Sequence, residues 1–239
     1  MNLVIDYGNS SAKVGIFDHH ELVRKEVFTE PGLLQNFLEN FSADYIIVSS
    51  VTTDASLVSV WAKQVKEKYI LTHALPLPIK NGYATPMTLG VDRIAGVCGA
   101  HQLFPNRNAL VIDLGTCVTY DFIDKESVFL GGGISPGLSM RFEAVHAFTA
   151  KLPLVQMVEN ASLIGNSTET CIQSGVLNGM IEELNGIISR YQEKFDDLQV
   201  ILCGGDARFF ENKVKGSIFA LPELVLSGLN SILIYNVNQ

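Results

Sequence analysis

Apolar positions along the chain follow two alternating periods. Residues 2–7, 12–17 and 21–28 show the short apolar runs of strands, joined by turns at Gly8-Asn9-Ser10 and Asp18-His19-His20. Pro31-Gly32 then opens a helical spacing that puts Leu34, Phe37, Leu38 and Phe41 on one face. Tyr45–Ser49 reads as a buried strand, Leu57, Val58, Trp61 and Val65 as one helix face, and Tyr69–Thr72 as the end of that half. A polar, proline-containing loop follows, and the spacing predicts a helix over Asp92–Leu103.

The second half starts again in the same way. Val111-Ile112-Asp113-Leu114-Gly115 repeats Val4-Ile5-Asp6-Tyr7-Gly8, and each copy leads into a second strand that closes near an aspartate, Asp18 or Asp124. A strand at Val128–Leu130, a glycine-rich turn over 131–137, and helices over much of 137–149 and 168–194 come next. The pattern ends with a strand at Gln199–Cys203, another near Ser217–Ala220 and a helix near Pro222–Tyr235. Three hairpin-like strands followed by alternating helices and strands, twice over, predict a duplicated α/β domain with mixed sheets. The boundary falls between residues 104 and 109, giving lobes of 1–106 and 107–239.

Composition narrows the classes. Of 239 residues, 47% are hydrophobic and 18% charged, which excludes a disordered or fibrous chain. The net charge of −8, from 25 acidic and 17 basic residues, argues against a nonspecific nucleic-acid binder, whose affinity comes from clustered lysine and arginine. A small anionic ligand stays open, because a few local cations and backbone amides suffice to hold one. The four cysteines form no CxxC pair, and there is no HExxH, so neither a disulfide framework nor a zinc site is expected. No apolar run is long enough for a membrane span, and Asp6 interrupts the apolar N-terminal stretch. The expectation is a cytoplasmic protein with no membrane partner.

The first candidate for chemistry is Asp6-Tyr7-Gly8-Asn9-Ser10-Ser11-Ala12-Lys13. A strand ending in aspartate and turning on glycine places a carboxylate, several amides and a lysine at one sheet edge, the elements that phosphate oxygens and a hydrated divalent metal require. A hairpin serving stability alone is the alternative, since Gly-Asn is ordinary turn chemistry. The second copy, Asp113-Leu114-Gly115-Thr116-Cys117-Val118-Thr119, shifts the balance towards phosphate, because two plain hairpins have no need of Asp-x-Gly before both turns. Gly204-Gly205, between a strand and a helix, would let a flat ring approach the backbone, or serves only a close strand-helix turn. Gly133 to Gly137 spells G-x-S-x-G, but Pro136 has no amide to donate to an oxyanion, so a serine hydrolase is rejected. No Gly-Lys pair exists, which removes a P-loop.

The remaining segment runs from Tyr83 through Gly90-Val91-Asp92-Arg93. An aspartate next to an arginine can supply a base and a carboxylate anchor; equally, Asp92 can be a helix N-cap and Arg93 a solvated residue of the first turn. Thr168 is an N-cap candidate before Cys171–Gly175.

These residues, in this order, resemble the type III pantothenate kinases. The resemblance rests on Asp6-x-Gly-Asn-Ser-x-x-Lys13, Leu89-Gly-x-Asp-Arg93, Asp113-x-Gly-Thr116, Gly204-Gly205, and the segments Ile134-x-Pro-Gly, Thr149-Ala150-x-Leu152-Pro153, Thr168 and Gln173-Ser174-Gly175. It covers essentially the whole chain. It implies two similar ribonuclease-H-like lobes with mixed five-stranded sheets, the duplicated fold of the acetate kinase, sugar kinase and actin superfamily, and ATP-dependent phosphorylation of pantothenate, the first committed step towards coenzyme A. By the same likeness Asp92 is the base, with Tyr83, Gly90, Val91, Arg93 and Thr168 around pantothenate. Asp6, Tyr7, Gly8, Asn9, Ser10, Ser11, Ala12, Lys13 and Thr116 would hold ATP, accompanied by magnesium. Asp113 would bind an activating potassium or ammonium ion, and the protein would be a homodimer. Cys203 stands where the family commonly has threonine, which implies weak ATP affinity, and Thr85 where asparagine is common. A kinase for another small metabolite, or a regulatory nucleotide binder on the same fold, is the alternative.

Overall fold

The computed structural model of the chain describes residues 1–9, 11–50 and 55–239. Strands β1 (Asn2–Tyr7), β2 (Ala12–Asp18) and β3 (Glu21–Phe28) precede helix α1 (Pro31–Asn40), strand β4 (Ala43–Ser50), helix α2 (Ala55–Trp61) and strand β5 (Val65–Ile70). They form a sheet of order β3-β2-β1-β4-β5, in which β1 runs antiparallel to β2 and parallel to β4. Strand β6 (Lys80–Asn81), a 3-10 turn at Pro86–Thr88 and helix α3 (Val91–Leu103) lead into the second half.

There the chain forms strands β7 (Ala109–Leu114), β8 (Cys117–Ile123) and β9 (Val128–Pro136), then helices α4 (Leu138–Ala147) and α5 (Thr168–Lys194). Strand β10 (Gln199–Cys203), helix α6 (Ala207–Phe210), strand β11 (Phe219–Ala220) and helix α7 (Leu224–Val237) follow. The second sheet has the order β11-β10-β7-β8-β9-β6. Read from the other edge, β9-β8-β7-β10-β11 repeats the order of the first sheet, as the duplicated pattern predicts. The second sheet is not five-stranded, however. Lys80 and Asn81 pair in parallel with Val128 and Phe129 and add a sixth strand from what the sequence marks only as a loop.

The long apolar run of β1 follows from burial on both faces: Leu3, Val4 and Ile5 are all fully buried. On one side Leu3, Ile5, Val14 and Ile46 pack with Leu34 and Leu38 of α1 and Val58 of α2. Helix α7 crosses the sheet and also packs along α3. That helix pair touches backbone to backbone, since a Cβ on Gly228 would lie 1.7 Å from the Ala95 carbonyl oxygen and one on Gly99 2.6 Å from that of Leu224.

Two local expectations change. Helix α2 stops at Trp61, and Val65 opens β5, where it pairs with Ala43. The glycine-rich segment is no turn but the second part of β9, where Gly132 passes so near β8 that its Cβ would meet the Tyr120 carbonyl oxygen at 1.7 Å. Two compact units emerge, Met1–Arg107 with Phe122–Gly131 and Glu223–Gln239, and Asn108–Asp121 with Gly132–Pro222. Among the described residues no helix is long and apolar enough to cross a membrane.

Candidate functional site

The first aspartate sits near the end of a fully covered strand. Asp6 is 8% exposed, and the register sets it between Lys13 on β2 and Ser49 on β4. Residues in register on neighbouring strands share a face. A cation, a carboxylate and a hydroxyl therefore lie in one row at the C-terminal end of the parallel pair, the end where α/β sheets receive ligands. The turn closes through the Gly8 amide, which donates to the Ser11 carbonyl at 3.1 Å. Tyr7, Gly8 and Ser11 are half-buried, Asn9 is exposed and Ala12 is buried; Ser10 lies outside the described residues.

The second aspartate has the same setting. Asp113 on β7 is in register with Cys203 on the parallel strand β10, and the Cys203 thiol donates to its Oδ2 at 3.6 Å. Its Oδ1 occupies a slot where a Cβ on Gly204 would come within 2.5 Å and one on Gly115 within 3.1 Å. Gly204 also has φ +86°, so conformation and space both require glycine there. Thr116 is exposed, and its carbonyl accepts the Gly137 amide at 3.1 Å. The helix after the paired glycines offers less than the sequence implies. It is a single turn, and the amides of Ala207, Phe209 and Phe210 already bond within it and its preceding turn. Burial raises the Asp206 carboxyl above the usual range.

In the Tyr83–Arg93 segment, neither half of the capping alternative holds. The N-cap of α3 is Gly90, without a side-chain bond, and Asp92 lies inside the first turn with its Oδ1 accepting the Arg93 amide at 2.9 Å. A Cβ at Gly90 would lie 2.5 Å from that Oδ1, so the carboxylate rests directly against bare backbone. Arg93 is not solvated: it is 9% exposed, with its guanidinium 5.7 Å from the Tyr83 ring centroid. Tyr83 in turn stacks on buried Phe129, centroids 6.1 Å apart. The Tyr83 ring thus meets both an aromatic neighbour and the guanidinium, contacts that favour keeping Arg93 beside it. His73 bonds the Leu89 carbonyl at 2.8 Å and ties the approach to the turn. The structure thus brings Tyr83, Gly90, Val91, Asp92 and Arg93 together at the start of one helix.

Thr168 is not the cap of α5. Ser167 is: its Oγ accepts the Thr170 amide at 3.2 Å, and its own amide donates to Thr170 Oγ1 at 2.9 Å. Thr168 is left exposed on an open hollow with Leu152, Asn166, Cys171 and Ile172. It belongs to the second compact unit, whereas the Tyr83–Arg93 segment belongs to the first.

One polar cluster escapes sequence reasoning because its members come from β8, β9, α4 and α5. Glu183 accepts from Tyr120 Oη at 2.8 Å and from Arg141 Nη2 at 2.7 Å, and Arg141 Nη2 also donates to Ser135 Oγ at 2.8 Å. The serine of the apparent G-x-S-x-G is thereby engaged in a structural network. Burial alone would raise the Glu183 carboxyl, but the bonds from Arg141, Tyr120 and Ser135 outweigh it and hold the group below its ordinary 4.5. A carboxylate so depressed stabilises the fold fully above the unfolded value and loses that contribution as pH falls through the folded one. Glu183→Gln is therefore expected to cost about 2 kcal/mol at pH 7. The difference from the parent should shrink below about pH 4.5, measured by urea unfolding at several pH values.

Three kinds of comparison with known proteins bear on the chain. The family model for type III pantothenate kinases matches residues 2–190. A type III pantothenate kinase from Christiangramia forsetii is 46% identical over 247 aligned residues, covering 100% of both chains. Among solved structures, a Campylobacter jejuni protein described as a Baf family transcriptional activator superposes with a TM-score of 0.66 at 22% identity, over 99% of this chain and 100% of that one. A glucokinase from an Antarctic psychrotroph gives 0.53 at 12% identity over 98% of each chain. At those identities the structures establish the fold alone.

Proposed function

The chain belongs to the type III pantothenate kinase family, and we propose that it transfers the γ-phosphoryl group of ATP to the primary hydroxyl of pantothenate, the first step towards coenzyme A. The observation that supports this most is the Gly90–Arg93 turn, a carboxylate seated on bare backbone beside a buried, stacked guanidinium. In the proposed reaction the hydroxyl oxygen bonds to the γ-phosphorus as the bond to the β–γ bridging oxygen breaks, ADP leaves, and Asp92 takes the proton. An alcohol in such a transfer loses its proton late, so a carboxylate within hydrogen-bond reach suffices. Gly90, Val91, Arg93 and Tyr83 are assigned to the acceptor, with Arg93 suited to a carboxylate such as pantothenate carries. Thr168 has the same assignment through the family pattern alone.

Asp6 to Lys13 and Thr116 are assigned to ATP. Among the described residues no three His, Cys, Asp or Glu side chains gather as a cage. One carboxylate beside a lysine suits magnesium brought by ATP, which draws its other ligands from phosphate and water. When bound, it neutralises charge on the phosphates. Asp113 is assigned to the monovalent ion, potassium or ammonium, through the family pattern. Ribonuclease-H-like lobes are proposed over 1–106 and 107–239 from the repeated strand order, with α7 packing back on the first sheet. A homodimer is proposed because Phe148, Leu163 and Ile164 are 89%, 83% and 84% exposed. The four free thiols support a reducing compartment, the cytoplasm.

The test is a coupled assay of ADP release with pantothenate and MgATP in potassium, ammonium or sodium salts. Turnover is expected only with pantothenate, and in potassium or ammonium well above sodium. Asp113→Asn should flatten the difference between salts. ADP release that ignores pantothenate would mark a different acceptor or an ATPase, and ATP binding without any turnover would mark a regulatory protein.

A further inference from the structure

Ser49 is fully buried on β4, and its Oγ has no hydrogen-bond partner among the described residues. Folded proteins contain few such hydroxyls, because burying one unpaired forfeits its bonds to water. Where one persists, a ligand-bound state that satisfies it is a physical reason. Ser49 is in register with Asp6, on the same face of the sheet.

The duplicated half of the chain shows what a side chain at this position does. Cys203 stands in β10 where Ser49 stands in β4: each lies on the parallel strand next to the Asp-x-Gly strand and in register with the aspartate. In that copy the thiol donates to the Asp113 carboxylate at 3.6 Å. Registered Cβ atoms on adjacent strands are about 5 Å apart, so a rotamer change in either side chain brings a short donor within reach of the carboxylate.

We propose that Ser49 is a positioning residue for the first phosphate loop. With nucleotide bound, its hydroxyl donates to the Asp6 carboxylate and holds the rotamer that faces the phosphates, as the Cys203 thiol holds Asp113. The two positions are one device in two copies. This rests on the assignment of Asp6 to the phosphates. Lys13, in register with Asp6 on the other side, cannot by itself fix the carboxylate's rotamer, because a lysine is a point charge on a flexible stem.

The experiment compares Ser49→Ala, Ser49→Cys and Asp6→Asn with the parent. It reads the melting temperature with and without MgADP, and kcat and KM for ATP at saturating pantothenate. Ser49→Ala is expected to melt no lower than the parent without nucleotide, since it removes an unpaired hydroxyl. It should also show a smaller MgADP-induced rise and about tenfold lower kcat/KM for ATP. Ser49→Cys, which copies the other half, should recover most of both. A Ser49→Ala protein less stable than the parent without nucleotide overturns the inference, because the hydroxyl would then be serving the fold. An unchanged nucleotide response and kcat/KM in Ser49→Ala overturns it as well. Loss of the MgADP response in Asp6→Asn with Ser49→Ala unaffected sinks the inference alone; a full response in Asp6→Asn sinks the loop assignment and the inference with it.

Discussion

Asp92→Asn is expected to lower kcat by about 10²–10⁴-fold, the range for removing a positioned general base, while ATP binds as it does to the parent. The substitution is nearly isosteric. It keeps the Oδ1 that accepts the Arg93 amide, and the amide group fits the same place against Gly90. Helix α3 should therefore start as before, and the melting temperature should change little. What is lost is a group able to take the proton from the attacking hydroxyl. The measurements are ADP release with pantothenate and a calorimetric ATP titration on the same preparation. Turnover within a few-fold of the parent would remove Asp92 from the role of base.

Gly228→Ala should be among the most destabilising single methyl additions. The new Cβ would lie 1.7 Å from the Ala95 carbonyl oxygen and 2.7 Å from its carbon, and both are backbone atoms of α3. No side-chain rotamer relieves such a clash, so α7 must move away from α3. That opens a contact in which Ile94, Ala95, Cys98 and Leu229 are all almost fully buried. The expected cost is about 3 kcal/mol, lowering the melting temperature by about 6–12 °C for a chain of this size. Because α3 begins at the Gly90–Arg93 turn, the loss should extend to catalysis, with a raised KM for pantothenate in the fraction that stays folded. A melting temperature within 2 °C or so of the parent would mean that the two helices can separate without cost.

Much of this was legible locally. The three opening strands and the helix after Pro31 follow from short-range alternation and punctuation, which a chain carries in its own order of residues. The repeat of Asp-x-Gly was visible because each copy spans a strand end and a turn, a few consecutive residues. The Gly131–Pro136 strand was not legible, since glycines ordinarily signal a turn and only the nearness of the Tyr120 backbone makes them the residues a strand needs there. Arg93 reads as a surface residue beside an aspartate; the Tyr83–Phe129 stack that it joins brings together two segments, Tyr83–Arg93 and strand β9. Ser49 carried no signal at all. A serine near a strand end is ordinary, and its unpaired hydroxyl exists only because β4 comes to lie beside β1.

Taken alone, then, the order of residues determined the element types, the duplication and the chemical kinds offered at each loop, because these depend on neighbours within a turn or two. It could not decide which partner each side chain meets. The tail helix α7 has an apolar sequence that would suit either sheet, and its place on β1 and α3 depends on Gly99 and Gly228 meeting backbone to backbone. Likewise the slot around Asp113 needs Gly204, which directly follows Cys203, a residue 90 positions beyond Asp113. Those choices depend on contacts between distant segments, which only the folded chain brings within van der Waals range.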